Sequence, residues 1–306
     1  MEILVTTEKP FAKIAVDGIR KVAEEAGYTV TLLEKYGSKT ELLDSVAKAD
    51  ALIVRSDKVD SEVFDAAKKL KIIVRAGAGY DNIDLEAATK HGVVVENTPG
   101  QNSNAVAELV FGIAVMAARN MYDGTSGSEL KDKTLGIHAF GQVGRNVARI
   151  ARGFGMTVSA LDPYCPSELI EAAGVTPIND IEELYSKNKI VSLHIPATEE
   201  TKKSVGHKLI SLMPKGGILV NTARKEVIDE EGLKEALRER PDLKYVADVR
   251  PDSADEMEQE FKGRVFFTPK KMGAQTAEAN INAGIAAARQ IVSFFKDGDR
   301  KYQVNK

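Results

Sequence analysis

Two glycines and an aspartate near the middle of the chain have the types and spacing of a dinucleotide-binding site. The stretch 135–144 reads LGIHAFGQVG, which is an apolar run, a Gly-x-x-Gly turn and the start of a helical pattern. Asp162 stands eighteen residues after Gly144, at the end of a second apolar run. A strand, a glycine turn, a helix and a strand ending in an acid form the unit that holds a pyrophosphate at a helix N-terminus.

Each residue of this turn has a chemical task in such a unit. Gly141 lets the backbone approach the pyrophosphate, and Gln142 and Val143 open the helix whose free N–H groups bind the phosphates. Gly144 lets the helix pack closely on the strand. The Asp162 carboxylate accepts hydrogen bonds from the ribose hydroxyls and repels a 2′-phosphate, which favours NAD over NADP. The sequence therefore predicts an NAD site.

The turn departs from the full fingerprint at its first position. Ala139 stands where a glycine makes the tight turn, and we expect its φ to stay negative. An ordinary strand–turn–helix with one helix-packing glycine is the alternative to a cofactor site.

Polar residues also follow later apolar runs. Open α/β sheets bind ligands beyond the carboxyl ends of their strands, so these residues are candidates for the same site. Arg224 and one of the pair Lys270 and Lys271 stand where substrate would lie. His194 approaches the cofactor or only caps and packs, and we expect His138 to pack. The residues that we assign to the cofactor here are His194, Pro196, Thr222, Ala223 and Asp248.

An earlier pair of strand ends carries a second candidate site. Arg55 and Arg75 each end an apolar run, and Arg75 is followed by the small residues Ala76 to Gly79. The backbone N–H groups of Gly77, Ala78 and Gly79 are suited to cupping a carboxylate. The two arginines bind substrate or are structural ion-pair partners.

The elements around these residues alternate between short β-rich runs and helical patterns. Such alternation predicts parallel sheets with crossover helices. Five candidate strands precede the first long helix, predicted over 102–120, and six more follow it. The last helix, predicted over 276–296, returns to pack on the first domain. We expect a fold of the α/β class with two doubly wound domains, one formed by 1–98 with 275–306 and the other by 99–274.

Composition excludes several classes of function. The 42 Lys and Arg nearly balance the 45 Asp and Glu, so no strong field favours nucleic acid or an anionic membrane. The single Cys165 cannot supply a multi-cysteine metal site, and no metal is expected. The first residues lack the pattern of a signal peptide, and the apolar stretch 105–118 is too short to span a bilayer. We expect a cytoplasmic protein with no membrane or nucleic-acid partner.

Five segments together resemble the D-2-hydroxyacid dehydrogenase family. The resemblance implies a Rossmann NAD domain inserted into a flavodoxin-like substrate domain, a homodimer, and hydride transfer between NAD and C2 of a small phosphorylated 2-hydroxy acid. It further implies that Arg224 and Lys271 are catalytic and that Arg55, Arg75 or Lys58 binds the phosphate. The segments are 75–84, 97–100, 107–109, 192–196 and 221–224.

Three departures from the family pattern accompany the resemblance. Lys271 stands where the family usually has a histidine, and Ser253 stands where it has a carboxylate. A lysine base needs its pKa lowered by roughly three units from about 10.4, which burial and the charge of Arg224 would do and a carboxylate would oppose. Asp252 or Asp255 remains a candidate substitute for the acid. Because the sequence ends at Lys306, we also expect the regulatory extension of some relatives to be absent.

The same resemblance leaves other functions open. One alternative is a relative that reduces glyoxylate, hydroxypyruvate or another 2-keto acid. A second is an NAD-sensing protein without catalysis, which the missing histidine and acid favour.

Overall fold

The computed structural model describes residues 1–8 and 10–305, and the chain divides into two compact units. The first unit comprises Met1–Asn102 with Gln275–Lys306, and the second comprises Ser103–Ala274. The chain therefore leaves the first unit once and returns to it once.

The first unit is built on a five-stranded parallel sheet with the order β2-β1-β3-β4-β5. Its strands are β1 (Glu2–Thr7), β2 (Thr29–Glu34), β3 (Ala51–Val54), β4 (Ile72–Arg75) and β5 (Val94–Asn97). Helices cover both faces, which is why the central strand β3 is a continuous apolar run, all of it buried. Ile3 and Val5 face α1 (Lys13–Glu25) and α12 (Ala277–Asp297). Leu4 faces the side of α2 (Lys39–Val46), α3 (Ser61–Ala66) and α4 (Leu85–Lys90).

The returning helix α12 packs against α1, as the sequence predicted. Gly284 makes the approach close, because a Cβ there would lie 3.2 Å from side-chain atoms of both Ile19 and Phe11. The Thr276 side chain accepts a hydrogen bond from the Ala279 N–H and caps the helix start. Gly298, at φ 68°, ends the helix in the left-handed conformation that glycine adopts easily.

Residues 299–305, here called the C-terminal strap, cover the outer edge of β5. Val304 N donates to Val95 O at 2.8 Å, and Val95 N donates to the Asn305 Oδ1 at 2.8 Å. Glu96 is buried beneath the strap, with one oxygen accepting from Tyr302 N at 3.3 Å. Burial raises the pKa of the Glu96 carboxyl to about 7.

The second unit is built on a seven-stranded parallel sheet with the order β12-β11-β10-β9-β6-β7-β8. Its strands are β6 (Thr134–His138), β7 (Thr157–Leu161), β8 (Thr176–Pro177), β9 (Ile190–Leu193), β10 (Ile218–Asn221), β11 (Lys244–Ala247) and β12 (Val265–Phe267). The strand order reverses between β6 and β9, which is the switch point where doubly wound sheets bind ligands. The sequence predicted six of these strands and missed β8, because a two-residue strand with a proline has no alternation to detect.

Seven helices cover the two faces of this sheet. They are α5 (Ser103–Ala118), α6 (Gln142–Gly153), α7 (Ser167–Ala172), α8 (Ile181–Lys187), α9 (His207–Ile210), α10 (Glu230–Glu239) and α11 (Ala254–Glu260). The side chains of α5 and α6 form one core and those of α8 to α11 form the other. The doubly wound folds predicted from the sequence are thereby confirmed. Among the described residues, no helix combines the length and the apolar character needed to cross a membrane.

Candidate active site

The glycine turn joins β6 to α6 at the switch point of the second unit. A Cβ on Gly144 would lie 2.4 Å from the Ala139 carbonyl oxygen and 3.1 Å from Ile137 Cγ2, so only glycine permits this contact between helix and strand. A Cβ on Gly141 would meet nothing within 4 Å. The open space lies at the N-cap of α6, whose first two residues are Gln142 and Val143. This geometry suits a phosphate group approaching the helix N-terminus.

Ala139 corrects one expectation drawn from the sequence. Its φ is +80°, whereas we expected an alanine here to keep a negative φ. The turn therefore keeps the backbone shape that the first glycine of the fingerprint provides, with a side chain in a region that L residues rarely occupy. Strain of this kind costs on the order of 1–2 kcal/mol and persists only where surrounding contacts enforce it.

Asp162 supplies one of these enforcing contacts. Its Oδ2 accepts a hydrogen bond from Phe140 N at 2.7 Å, and its Oδ1 accepts one from Tyr164 N at 2.9 Å. The carboxylate also lines a cavity of about 560 Å³ whose wall includes His138, Pro196 and Thr201. Each oxygen keeps a further lone pair for a ligand hydroxyl. Asp162 thus fixes the turn, and its ribose-binding role stays a prediction.

Two histidines end the strands on either side of the switch point. Burial lowers the pKa of His138 to about 4, and Nδ1 lies 3.3 Å from the Tyr185 hydroxyl. Burial, with the nearby His138, lowers the pKa of His194 to about 3. His194 Nε2 lies 3.0 Å from the Ser192 hydroxyl. Both rings are therefore neutral near pH 7. His138 packs on Tyr185, as expected.

Unsatisfied polar atoms mark the same edge of the sheet. His194 Nδ1 and the Thr222 hydroxyl are buried and have no hydrogen-bond partner within the described part of the chain. Buried polar atoms without partners are rare and indicate a missing ligand or water. Together with the open space at Gly141, they fit a polar cofactor that lies along the carboxyl ends of these strands.

The two residues assigned to catalysis share one acceptor. Arg224 Nη1 donates to the Ala223 carbonyl oxygen at 2.9 Å, and Lys271 Nζ lies 3.4 Å from the same oxygen. The structure therefore brings together two cations that stand 47 residues apart in the sequence. Lys271 is exposed, so the burial that we expected to lower its pKa is not present here.

Asp248 holds the segment that carries Lys271. Its Oδ1 accepts from the Thr268 hydroxyl at 3.0 Å and from Met272 N at 2.7 Å, and its Oδ2 accepts from Gly273 N at 2.8 Å. The residue is fully buried. The sequence indicated a cofactor contact at Asp248, which stays a prediction. The sequence did not indicate that Asp248 anchors residues 268–273. The only feature that could have suggested it is an acidic residue directly after β11.

The candidate acids for a base–carboxylate pair are engaged with other groups. Ser253 donates its hydroxyl to Glu230 Oε2 at 2.6 Å. Asp252 forms an ion pair with Lys225, and Asp255 forms one with Arg250, each at 2.5 Å. Glu230, which sequence reasoning did not single out, fixes the start of α11 through the N–H groups of residues 252 and 253.

The predicted anion site of the first unit has two arginines on neighbouring strand ends. Arg75 ends β4, and Arg55 directly follows β3. Burial and the charge of Arg55 lower the pKa of Arg75, and the Asp81 carboxylate partly opposes this shift. Arg75 Nε is buried and has no hydrogen-bond partner among the described residues. Arg55 is held by Asn280 at 2.7 Å and lies over the Phe11 ring.

The loop after Arg75 is shaped around its guanidinium group. A Cβ on Gly77, whose φ is +150°, would lie 1.4 Å from Arg75 Nη1. Asn97 Nδ2 donates to Ala78 O at 2.6 Å, and Thr98 N donates to Gly77 O at 2.9 Å. Within the described residues, the N–H groups of Ala78 and Gly79 have no backbone acceptor. The Arg75 guanidinium group and two N–H groups without a backbone acceptor therefore meet at this loop of the first unit.

Comparison with known proteins agrees with this fold. The family model described as D-isomer specific 2-hydroxyacid dehydrogenase, NAD binding domain, matches residues 105–269. The chain belongs to this family, and its second unit contains the family's NAD-binding domain.

Individual relatives carry several names. A D-3-phosphoglycerate dehydrogenase of Methanocaldococcus jannaschii is 40% identical over 83% of this chain and 51% of its own length. A glyoxylate reductase of Thermococcus litoralis is 33% identical over 96% of this chain and 95% of its own. The NAD⁺-bound 3-phosphoglycerate dehydrogenase of Entamoeba histolytica has 52% identity, a TM-score of 0.85, and coverage of 100% of this chain and 99% of that one. The chain spans about half the length of the curated phosphoglycerate dehydrogenases that it matches.

Proposed function

We propose that the protein oxidises 3-phospho-D-glycerate to 3-phosphohydroxypyruvate with NAD, the first step of phosphorylated serine biosynthesis. The observation that carries the substrate assignment is the pair Arg55 and Arg75 at neighbouring strand ends, in which Arg75 Nε is buried without a hydrogen-bond partner among the described residues. A terminal phosphate is the dianion that such a pair recognises. The relatives named phosphoglycerate dehydrogenase support the same assignment.

The second unit holds the groups that act on C2. Bound NAD supplies the acceptor for the hydride that leaves this carbon. Arg224 pairs with the substrate carboxylate and polarises the C2 oxygen, a bidentate task that suits a guanidinium group. Lys271 takes the hydroxyl proton when its Nζ is unprotonated, and in the reverse direction the protonated amine returns it. In the first unit, the 77–79 loop supplies N–H groups to the carboxylate.

A substrate comparison tests the proposal. We expect kcat/KM for 3-phosphohydroxypyruvate with NADH to exceed the values for hydroxypyruvate and glyoxylate by at least about 100-fold, the range of a charge-assisted contact worth about 3 kcal/mol. Arg75→Ala is expected to remove this preference and to leave turnover of hydroxypyruvate unchanged. Equal turnover of the phosphorylated and unphosphorylated acids would instead favour a hydroxypyruvate or glyoxylate reductase.

Lys270 provides a matched control for the proposed catalytic role of Lys271. Lys271→Ala is expected to lower kcat by about 100-fold or more, in the range of a lost general base, while Lys270→Ala stays close to the parent. A pH profile with a limb that disappears only in Lys271→Ala supports the proton transfer. NADH binding without turnover in the parent protein would favour the sensing function, for which the replaced histidine and acid are the supporting features. A homodimer in the cytoplasm remains a prediction.

A further inference from the structure

The surface between α9 and α10 carries an imidazole and two carboxylates that the dehydrogenase reaction does not use. His207 is the first residue of α9, and Glu235 and Glu239 lie one turn apart on α10. One ligand atom from each residue lies within 4.8 Å of the other two. His207 Nε2 and Glu239 Oε2 are already 2.8 Å apart.

The backbone fixes this arrangement through a close contact between the helices. Gly232 lies one turn before Glu235 and two turns before Glu239. A Cβ on Gly232 would lie 2.7 Å from His207 N, so only glycine permits this approach. A Cβ on Gly206 would also lie 3.0 Å from the Asp229 side chain. The two glycines therefore let the start of α9 rest on the first turn of α10. This contact positions the imidazole beside the Glu235–Glu239 row.

The geometry points to a binding site for a Zn²⁺-class divalent ion, with His207, Glu235 and Glu239 as three ligands and water as the fourth. Ligand atoms of a tetrahedral zinc ion are about 3.3 Å apart, given bond lengths near 2.0–2.1 Å. The separation of 2.8 Å between His207 and Glu239 lies below this value, and the upper limit of 4.8 Å for the set lies above it. A ligand set that includes an imidazole selects Zn²⁺ over Mg²⁺ and Ca²⁺, which prefer oxygen ligands alone.

The proposal differs from a plain ion pair in the role of Glu235. An ion pair needs only His207 and Glu239, and it is complete without a third group. A metal site needs all three ligands, because losing one leaves two protein ligands and a much weaker complex. The chain also contains a matched pair, His91 and Asp65, with His91 Nε2 3.1 Å from Asp65 Oδ1 and no third ligand among the residues that the structure describes.

Zinc titration of the full chain tests the site. Protein dialysed against a chelator and then into a non-coordinating buffer at pH 7.5 is titrated with ZnCl₂ by calorimetry. We expect one ion per chain at this site, binding at least tenfold weaker in His207→Ala and in Glu235→Gln, and within twofold of the parent in His91→Ala. Excess MgCl₂ is expected not to displace the zinc.

Two results would overturn the site. One is a Glu235→Gln variant that binds zinc like the parent, which would reduce the cluster to an ion pair. The other is a loss in His91→Ala equal to that in His207→Ala, which would mean unspecific binding to surface histidines. The melting temperature of each variant without zinc, together with its NADH affinity, separates lost binding from lost folding.

Discussion

Each unit has a loop that follows a parallel strand and offers backbone N–H groups, but the two loops are built by different means. In the second unit the turn 139–144 relies on two glycines and a helix N-terminus. In the first unit the loop 77–79 lies against the Arg75 guanidinium, with Arg55 on the next strand. Helix dipoles suffice for the single charges of a pyrophosphate, whereas a terminal phosphate calls for cations. We therefore expect changes in the two loops to affect different ligands.

The largest effect is expected at the glycine turn, where substitution of Gly144 should affect folding and NADH binding and substitution of Gly141 should affect NADH binding alone. In Gly144→Ala the new Cβ meets the Ala139 carbonyl at 2.4 Å, so α6 must shift from β6. We expect a loss of about 2–3 kcal/mol in unfolding free energy and at least tenfold weaker NADH binding. Gly141→Ala meets no protein atom and should keep the parent melting temperature while weakening NADH binding. Calorimetry measures the stability of each variant, and fluorescence titration measures its NADH affinity. A lower melting temperature in Gly141→Ala would contradict the expectation that this glycine affects binding alone.

The second effect is expected on substrate alone. In Gly77→Ala the Cβ would occupy the position of Arg75 Nη1, so the guanidinium group must move. We expect KM for 3-phosphohydroxypyruvate to rise about tenfold, which corresponds to about 1.4 kcal/mol, with NADH affinity unchanged. Gly37→Ala, whose Cβ would have its nearest neighbour at 3.8 Å, is the control in the same unit. A rise in the NADH dissociation constant would show that the loops are not separate in function.

A third prediction concerns pH and only the first unit. Glu96 has its pKa raised to about 7, so the folded state holds its proton where the unfolded carboxyl has lost it. The contribution of protonated Glu96 to the free energy of unfolding is therefore complete below about pH 4.5. It is lost as pH rises to about 7, with a slope of at most about 1.4 kcal/mol per pH unit. Hydrogen exchange at Val95 and Val304 should speed up over this range. In Glu96→Gln, the exchange rates at Val95 and Val304 should not rise over this range once the intrinsic pH dependence of amide exchange has been corrected for.

The smallest effect is expected at Ala139. Replacing it with glycine relieves the positive φ and should raise the unfolding free energy by about 1 kcal/mol. NADH affinity should stay within twofold of the parent, because the backbone shape is unchanged. A lower melting temperature in Ala139→Gly would mean that the alanine is not strained. Thermal unfolding monitored by circular dichroism decides this.

The sequence predicted the features that depend on local pattern and left out those that depend on hydrogen-bond partners. The glycine spacing and the alternation of strands and helices placed the turn and both sheets correctly. The φ of Ala139 could not be predicted, because it is imposed by contacts such as the bond from Phe140 N to Asp162. The anchoring role of Asp248 was missed for a similar reason, since nothing in the sequence shows which N–H groups a buried carboxylate accepts.

The split of the first unit has a consequence for how the protein is made. Its core joins Ile3 and Val5 to Ala287 and Ile291 on α12, which are synthesised after the whole second unit. All seven strands of the second unit precede α12 in the sequence. The sheet of the second unit is therefore fully synthesised before α12. At 5–20 residues per second, the roughly 200 residues between Asn102 and the strap take roughly 10–40 s to make. During that time the face of the first sheet that α1 and α12 cover together has α1 but lacks α12. We expect nascent chains to depend on chaperones at this stage, and chains cut before α12 to aggregate.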